Sequence, residues 1–125
     1  MLGGTNAIAT VAVKDLKQAR EFYEGVLGLR VKDAQGSEAI TFESGVTHVI
    51  VYRSDYAGTN KATAINWMLG DDIEKVVATL REKGVTFEHY DMPGLTKKGD
   101  VHVFGTFKTA WFKDPDGNIL ALMGH

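Results

Sequence analysis

The chain runs through one order of apolar segments, helix caps and turn signals twice, and this repeat limits the folds open to it. Residues Ala7 to Val13 (AIATVAV) form a short β-branched run that reads as a strand. Asp15 then stands at an N-cap position, with Gln18 three residues on as in a capping box. Leu16, Ala19, Phe22, Tyr23, Val26 and Leu27 recur at helical spacing up to Gly28, where a left-handed C-terminal residue is expected. Leu29 to Lys32 opens a strand, and Glu38 to Glu43 and Thr47 to Arg53 flank Ser44-Gly45 as a hairpin. The order then returns. Ala64 to Leu69 reads as a strand, and Asp72 caps a helix carrying Ile73, Val76, Val77 and Leu80 that ends at Gly84. Val85 to Tyr90 reads as a strand, and Thr106 to Lys113 and Asn118 to Met123 flank the turn Asp114-Pro115-Asp116-Gly117.

A shift of 57 carries Ile8, Asp15 and Leu16 onto Ile65, Asp72 and Ile73, and a shift of 70 carries Phe42 onto Phe112. The reading is an α+β chain of two β-α-β-β-β modules whose curved mixed sheets form a central cavity. The modules are expected over about residues 7–54 and 64–123 of a single domain spanning 1–125, joined by a polar linker at 55–63. A module of this size cannot bury its own sheet face alone, so a pairing of halves is expected. The longest stretch without periodicity, Asp91 to Gly105, is expected to be an irregular loop closing over the cavity mouth.

Fourteen Lys and Arg against sixteen Asp and Glu, scattered along the chain, give no basic patch for nucleic acid. No apolar run is long enough to span a bilayer, and the first residues lack the basic and apolar regions of a signal peptide. Without cysteine there is no disulfide framework or thiolate chemistry, and a cytoplasmic location is expected. Gly-rich phosphate loops, G-x-S-x-G and H-E-x-x-H are also missing.

Two stretches carry a family resemblance: Val11 to Val31 (VAVKDLKQAREFYEGVLGLRV) and Ala110 to Leu122 (AWFKDPDGNILAL), supported by Gly70 to Val85. Together they resemble the vicinal-oxygen-chelate superfamily of glyoxalase I, extradiol dioxygenases, and fosfomycin- and bleomycin-resistance proteins. The resemblance implies a cavity cupped by the sheets and a homodimer. It does not choose a reaction, because the superfamily hosts lyases, dioxygenases, epimerases, transferases and drug binders.

The resemblance also implies a divalent metal held by His and Glu, one pair from each half. The positions it points to are Ile8, Ile65, Ala121 and Val51, with Val49 as the alternative if the register slips by two. All are apolar and offer no donor to a hard cation. No metal or other cofactor is expected. His48, next to Val49, is expected on the opposite face, and a slip of one residue would turn it inward.

Alternation along the strands then places Ile8, Thr10, Thr41, Val49, Val51, Arg53, Ile65, Trp67, Trp111, Ile119, Ala121 and Met123 on the cavity wall, with Tyr90 and His102 at its mouth. Trp67 and Trp111 are expected to share one face, either stacked on a flat ligand or filling the interior. Arg53 either clamps an anion or lies exposed at a strand end, and His102 is expected to be a solvated loop residue unless it serves as an acid or base. No catalytic residue stands out. The expected function is metal-independent binding of a small hydrophobic or aromatic molecule, for sequestration or resistance. The alternatives are a lyase or dioxygenase of the same superfamily, either metal-dependent or using a loop acid/base, and a scaffold with a filled interior.

Overall fold

The computed structural model describes residues 1–36 and 38–125. The chain divides into two compact units, Met1–Thr59 and Asn60–His125. Both combine helix and mixed sheet in an α+β fold.

In the first unit a short 3-10 turn, Leu2–Gly4, precedes strand β1 (Ala9–Val13). Asp15 caps helix α1 (Leu16–Arg20) as expected. Its backbone is extended, so its carboxylate accepts from the N–H groups of Lys17 (2.9 Å) and Gln18 (3.2 Å). The single expected helix then widens into a π-helical segment, Glu21–Val26, where the Leu27 N–H reaches back to the Phe22 carbonyl. Strands β2 (Arg30–Gln35), β3 (Ala39–Ser44) and β4 (Thr47–Arg53) follow, giving the order β1-β4-β3-β2 with β1 and β4 parallel.

Register decides what each side of this sheet carries, because side chains directly opposite on neighbouring strands share a face. Val11 pairs with Val51, Val51 with Ile40, and Val49 with Phe42. All five are buried, and the Tyr23 ring of the helical segment lies 5.9 Å from that of Phe42. This side is therefore the helix-covered core. Full burial of an aromatic or large aliphatic side chain there contributes about 1.5–3 kcal/mol. The opposite, open side carries Thr10, Thr41, Ile50, Tyr52 and His48.

The second unit begins with β5 (Thr63–Gly70) and helix α2 (Ile73–Glu82). Here the expected cap is corrected. Asp72 has φ −88° and ψ 3°, not an extended backbone, and its side chain makes no cap hydrogen bond. Five strands follow: β6 (Phe87–Glu88), β7 (Thr96–Lys98), β8 (Val101–Phe104), β9 (Phe107–Lys113) and β10 (Ile119–Gly124). Their order is β5-β10-β9-β8-β7, with β6 also paired to β9.

The unit is thus not the plain β-α-β-β-β repeat. The expected loop from Asp91 to Gly105 contains the β7–β8 hairpin, and the strand expected over Val85 to Tyr90 shrinks to two residues. Two Gly-X turns make the difference. Lys98 pairs with Val101 across Gly99-Asp100, and Phe104 with Phe107 across Gly105-Thr106. Each glycine has φ near +60°, which a two-residue hairpin needs at its first turn position.

The DPDG turn is locked by its own first residue. Asp114, buried, accepts from the N–H groups of Asp116 and Asn118 at 2.9 Å each and from the Asn118 amide at 2.8 Å. Beneath α2 lie Ile65, Phe87, Ala110, Phe112, Leu120 and Leu122, all buried. Gly124 continues the face of Leu120 and Leu122. A Cβ there would stand 2.3 Å from the Gly70 carbonyl oxygen and 3.0 Å from Ile73, so only glycine fits.

Candidate functional site

The open face of the second sheet is set by the pairing of β9 and β10. Trp111 pairs with Ala121 and Thr109 with Met123, while Thr109 also faces His102 across β8. Asn66 and Met68 continue this face on β5 through Ala121 and Met123. Met68 is 70% exposed, whereas Ala121 is covered.

Three rings meet on this face. The Trp111 centroid lies 4.9 Å from the His102 imidazole at 73° and 5.1 Å from the Tyr90 phenol at 79°, both edge-to-face. Such contacts contribute about 0.5–1.5 kcal/mol each beyond burial, and they fix the indole's tilt. Tyr90 and Trp111 stay half-buried, so part of each ring is open to a ligand.

His102 is not a solvated loop residue. Strand β8 holds it fully buried, because its partners Thr109 on β9 and Lys97 on β7 close in from both sides. The Tyr90 N–H donates to its Nε2 at 2.9 Å. Burial disfavours the imidazolium and brings the pKa below the usual 6.5. The Thr109 and Asp100 carbonyls pull it upward, yet neither completes a hydrogen bond to Nδ1. Thr109, 1% exposed, also leaves its Oγ1 without a partner among the described residues. A buried polar atom left this way costs about 1–3 kcal/mol.

Two charged side chains of the added hairpin, Asp100 and Lys97, tie it to the rest of the unit. Asp100 accepts from Arg81 Nη2 at 2.7 Å and meets His89 Nε2 at 2.8 Å. Burial works to raise the Asp100 pKa, but the Arg81 and His89 hydrogen bonds outweigh it and hold the carboxyl below 3.8. Lys97 pairs with Asp91 at 2.6 Å.

Several expected cavity residues lie elsewhere. Val49 and Val51 belong to the helix-covered core of the first unit, across the sheet from Thr10 and Thr41. Arg53 is a strand-end residue, half exposed and 3.9 Å from Glu38. Ile65 and Trp67 pair with Leu120 and Leu122 on the α2 side, so Trp67 and Trp111 point to opposite faces. The cause is a register shift between Ile119 and Leu120, where β5 advances two residues against one. One extra residue exchanges the faces of a strand. Of the expected set, Tyr90, His102, Trp111 and Ala121 come together in the second unit, and Thr10 and Thr41 share the open face of the first. Met123, also expected on the cavity wall, and Thr109, which was not, complete the second-unit face. Thr109 was legible only once the Gly-X hairpins placed His102 opposite it.

The first unit also has a concavity. An open cavity of about 360 Å³ is lined by Asn6, Ala7, Ile8, Val46, Thr47 and His48. Val46 is fully exposed there and Ile8 43% exposed. His48 Nε2 lies 3.3 Å from the Lys32 ammonium.

A sequence model of the glyoxalase/bleomycin resistance protein/dioxygenase superfamily matches residues 6–122, nearly the whole chain. The chain belongs to this superfamily. Among solved structures, it is 19% identical to the glyoxalase family protein from Enterococcus faecalis, covering 98% of this chain and 99% of that one with a TM-score of 0.74. Lactoylglutathione lyase from Agrobacterium tumefaciens is 12% identical, with 97% and 93% covered and a TM-score of 0.71. A mutant of the fosfomycin resistance protein FosX from Listeria monocytogenes, complexed with Mn(II) and 1S,2S-dihydroxypropylphosphonic acid, is 18% identical. It covers 98% and 90% with a TM-score of 0.70. At these identities the likeness establishes the fold alone. No curated protein matches the chain.

The donor set does not fit the superfamily's divalent metal. Among the described residues no three His, Cys, Asp or Glu side chains come together to hold an ion. The register does turn His48 to the open face of its sheet, opposite Glu43, in place of Val49 and Val51. Its Nε2 is taken by the Lys32 ammonium, whose charge repels a second cation. On the second unit's open face His102 presents a buried ring, and the carboxylate of Glu88, the strand partner of Trp111, is paired with Lys113 at 3.4 Å. Among the described residues no helix is long and apolar enough to cross a membrane.

Proposed function

We propose that the chain is a metal-independent binder of a small planar, largely apolar molecule, received on the open face of the second unit. The observation that carries this reading is the ring cluster. Trp111 is braced edge-to-face by Tyr90 and His102 while part of its own surface stays open. A pre-tilted indole on a face that also carries Met68 and Met123 provides an apolar, polarizable surface and costs little ordering on binding. Ring contact and apolar burial would supply most of the affinity, with few polar anchors. Sequestration or resistance is the role this chemistry serves, in a homodimer located in the cytoplasm.

Titration of tryptophan emission with naphthalene, in the wild type and in Trp111→Ala, tests the reading. Saturable quenching that disappears with Trp111 supports it, and unchanged affinity in the variant removes it. A stoichiometric divalent ion retained through chelator dialysis would refute metal independence and favour the alternative, a lyase or dioxygenase of the superfamily.

A further inference from the structure

We propose that the Nδ1–H of His102 and the hydroxyl of Thr109 form a two-point niche for one acceptor oxygen, a carbonyl or ether oxygen on a neutral planar ligand. The inference rests on the binder reading and adds to it the polar group by which the ligand is recognised.

The tautomer follows from one hydrogen bond. The Tyr90 N–H donates to Nε2 at 2.9 Å, so Nε2 carries no proton and the neutral imidazole keeps its proton on Nδ1. That donor has no partner among the described residues, nor has Thr109 Oγ1. The two residues sit directly opposite each other on β8 and β9, buried at 0% and 1% exposure. Two donors side by side on one face suit a single oxygen with two lone pairs.

The surrounding charges select a neutral ligand. The Lys97 ammonium beside His102 is paired with Asp91, and Asp100 is taken by Arg81 and His89. Glu88, the partner of Trp111 on β6, faces Lys113 at 3.4 Å. Among the described residues, no unpaired charge remains on the groups facing the niche to offset a buried anion or cation. Trp111, next along β9 on the same face, sets the plane of the ring that carries the oxygen. Met123, paired with Thr109, and Tyr90, whose N–H meets His102, are half-buried residues bordering the niche, and rotation of the unbranched methionine would open it.

Calorimetry with three probes of one ring size tests the niche: naphthalene, 2-acetylnaphthalene and 2-naphthoate. The expected result is the ketone bound about tenfold more tightly than the hydrocarbon, the ratio one net hydrogen bond supplies, with the carboxylate weaker than the ketone. In Thr109→Val the ketone-to-hydrocarbon ratio falls toward one, and Thr109→Ser restores it. If the valine variant does not fold, the wild type still decides. The His102 Nδ1–H proton should move downfield with the ketone, as a newly hydrogen-bonded proton does, whereas naphthalene should give only the ring-current shift of a neighbour on Trp111. Equal binding of ketone and hydrocarbon, or a ratio unchanged in the folded valine variant, overturns the niche and leaves the binder reading standing. Binding of neither overturns both.

Discussion

The two units share a parallel first-to-last strand pairing and a helix over one sheet face, yet they spend their open faces differently. In the first unit that face carries Thr10, Thr41, Ile50 and Tyr52, with His48 held against Lys32. In the second, the β7–β8 hairpin brings His102 beside Trp111, and Tyr90 closes on both. The helix-covered faces are alike, each centred on a fully buried phenylalanine, Phe42 or Phe112, packed against another ring. The duplication therefore preserves what packs, while an inserted hairpin changes what is presented.

If the two cores are equivalent, Phe42→Ala and Phe112→Ala should each cost about 3–5 kcal/mol in urea unfolding. Costs differing by more than a factor of two would break the parallel. The final hairpins should part company. Asp114→Ala removes the acceptor of three hydrogen bonds in a buried turn and should cost about 2–4 kcal/mol. Thr47→Ala, which loses only an exposed 2.8 Å bond to the Ser44 carbonyl, should cost about 0.5 kcal/mol. Equal losses would show that the two turns are equally anchored.

For ligand contact the contrast lies in the open faces. Trp111→Ala should weaken naphthalene binding about tenfold, or roughly 1.4 kcal/mol. Tyr52→Ala, on the first unit's open face, should leave it unchanged by calorimetry. Through His102 the second unit should also respond to pH, in a way the first does not share. The buried His102 has a folded pKa below 6.5, so as pH falls past 6.5 the unfolded chain takes up the proton first. Stability should decline until pH reaches the lower folded value, and His102→Gln should remove that slope from the urea midpoints. Asp100 acts in a lower window. Its depressed pKa contributes stability that is present above pH 3.8 and is lost as pH falls through the folded value.

The sequence discloses the fold well because its strongest signals are local. The Asp15 cap, the helical spacing of Ala19 and Tyr23, and the DPDG turn each act within a few residues. Family membership is legible for the same reason. The wall of the site was less so. Runs such as AIATVAV and VIVY are apolar on both faces, so composition does not say which side the helix covers, and Val49 and Val51 were assigned to the wrong one. The register shift beside Ile119 is a tertiary event that exchanged Trp67 for Asn66 on the open face. The β7–β8 hairpin was hidden by its polar edge strand, Thr96–Lys98, although Gly99-Asp100 and Gly105-Thr106 repeat the Gly-X form of the expected turn at Gly45.

The most direct test is a map of amide and side-chain shifts during titration with naphthalene. The account predicts changes centred on Tyr90, His102, Thr109, Trp111 and Met123. Saturable changes centred on the cavity lined by Ile8, Val46 and His48, with the ring cluster unmoved, would contradict it.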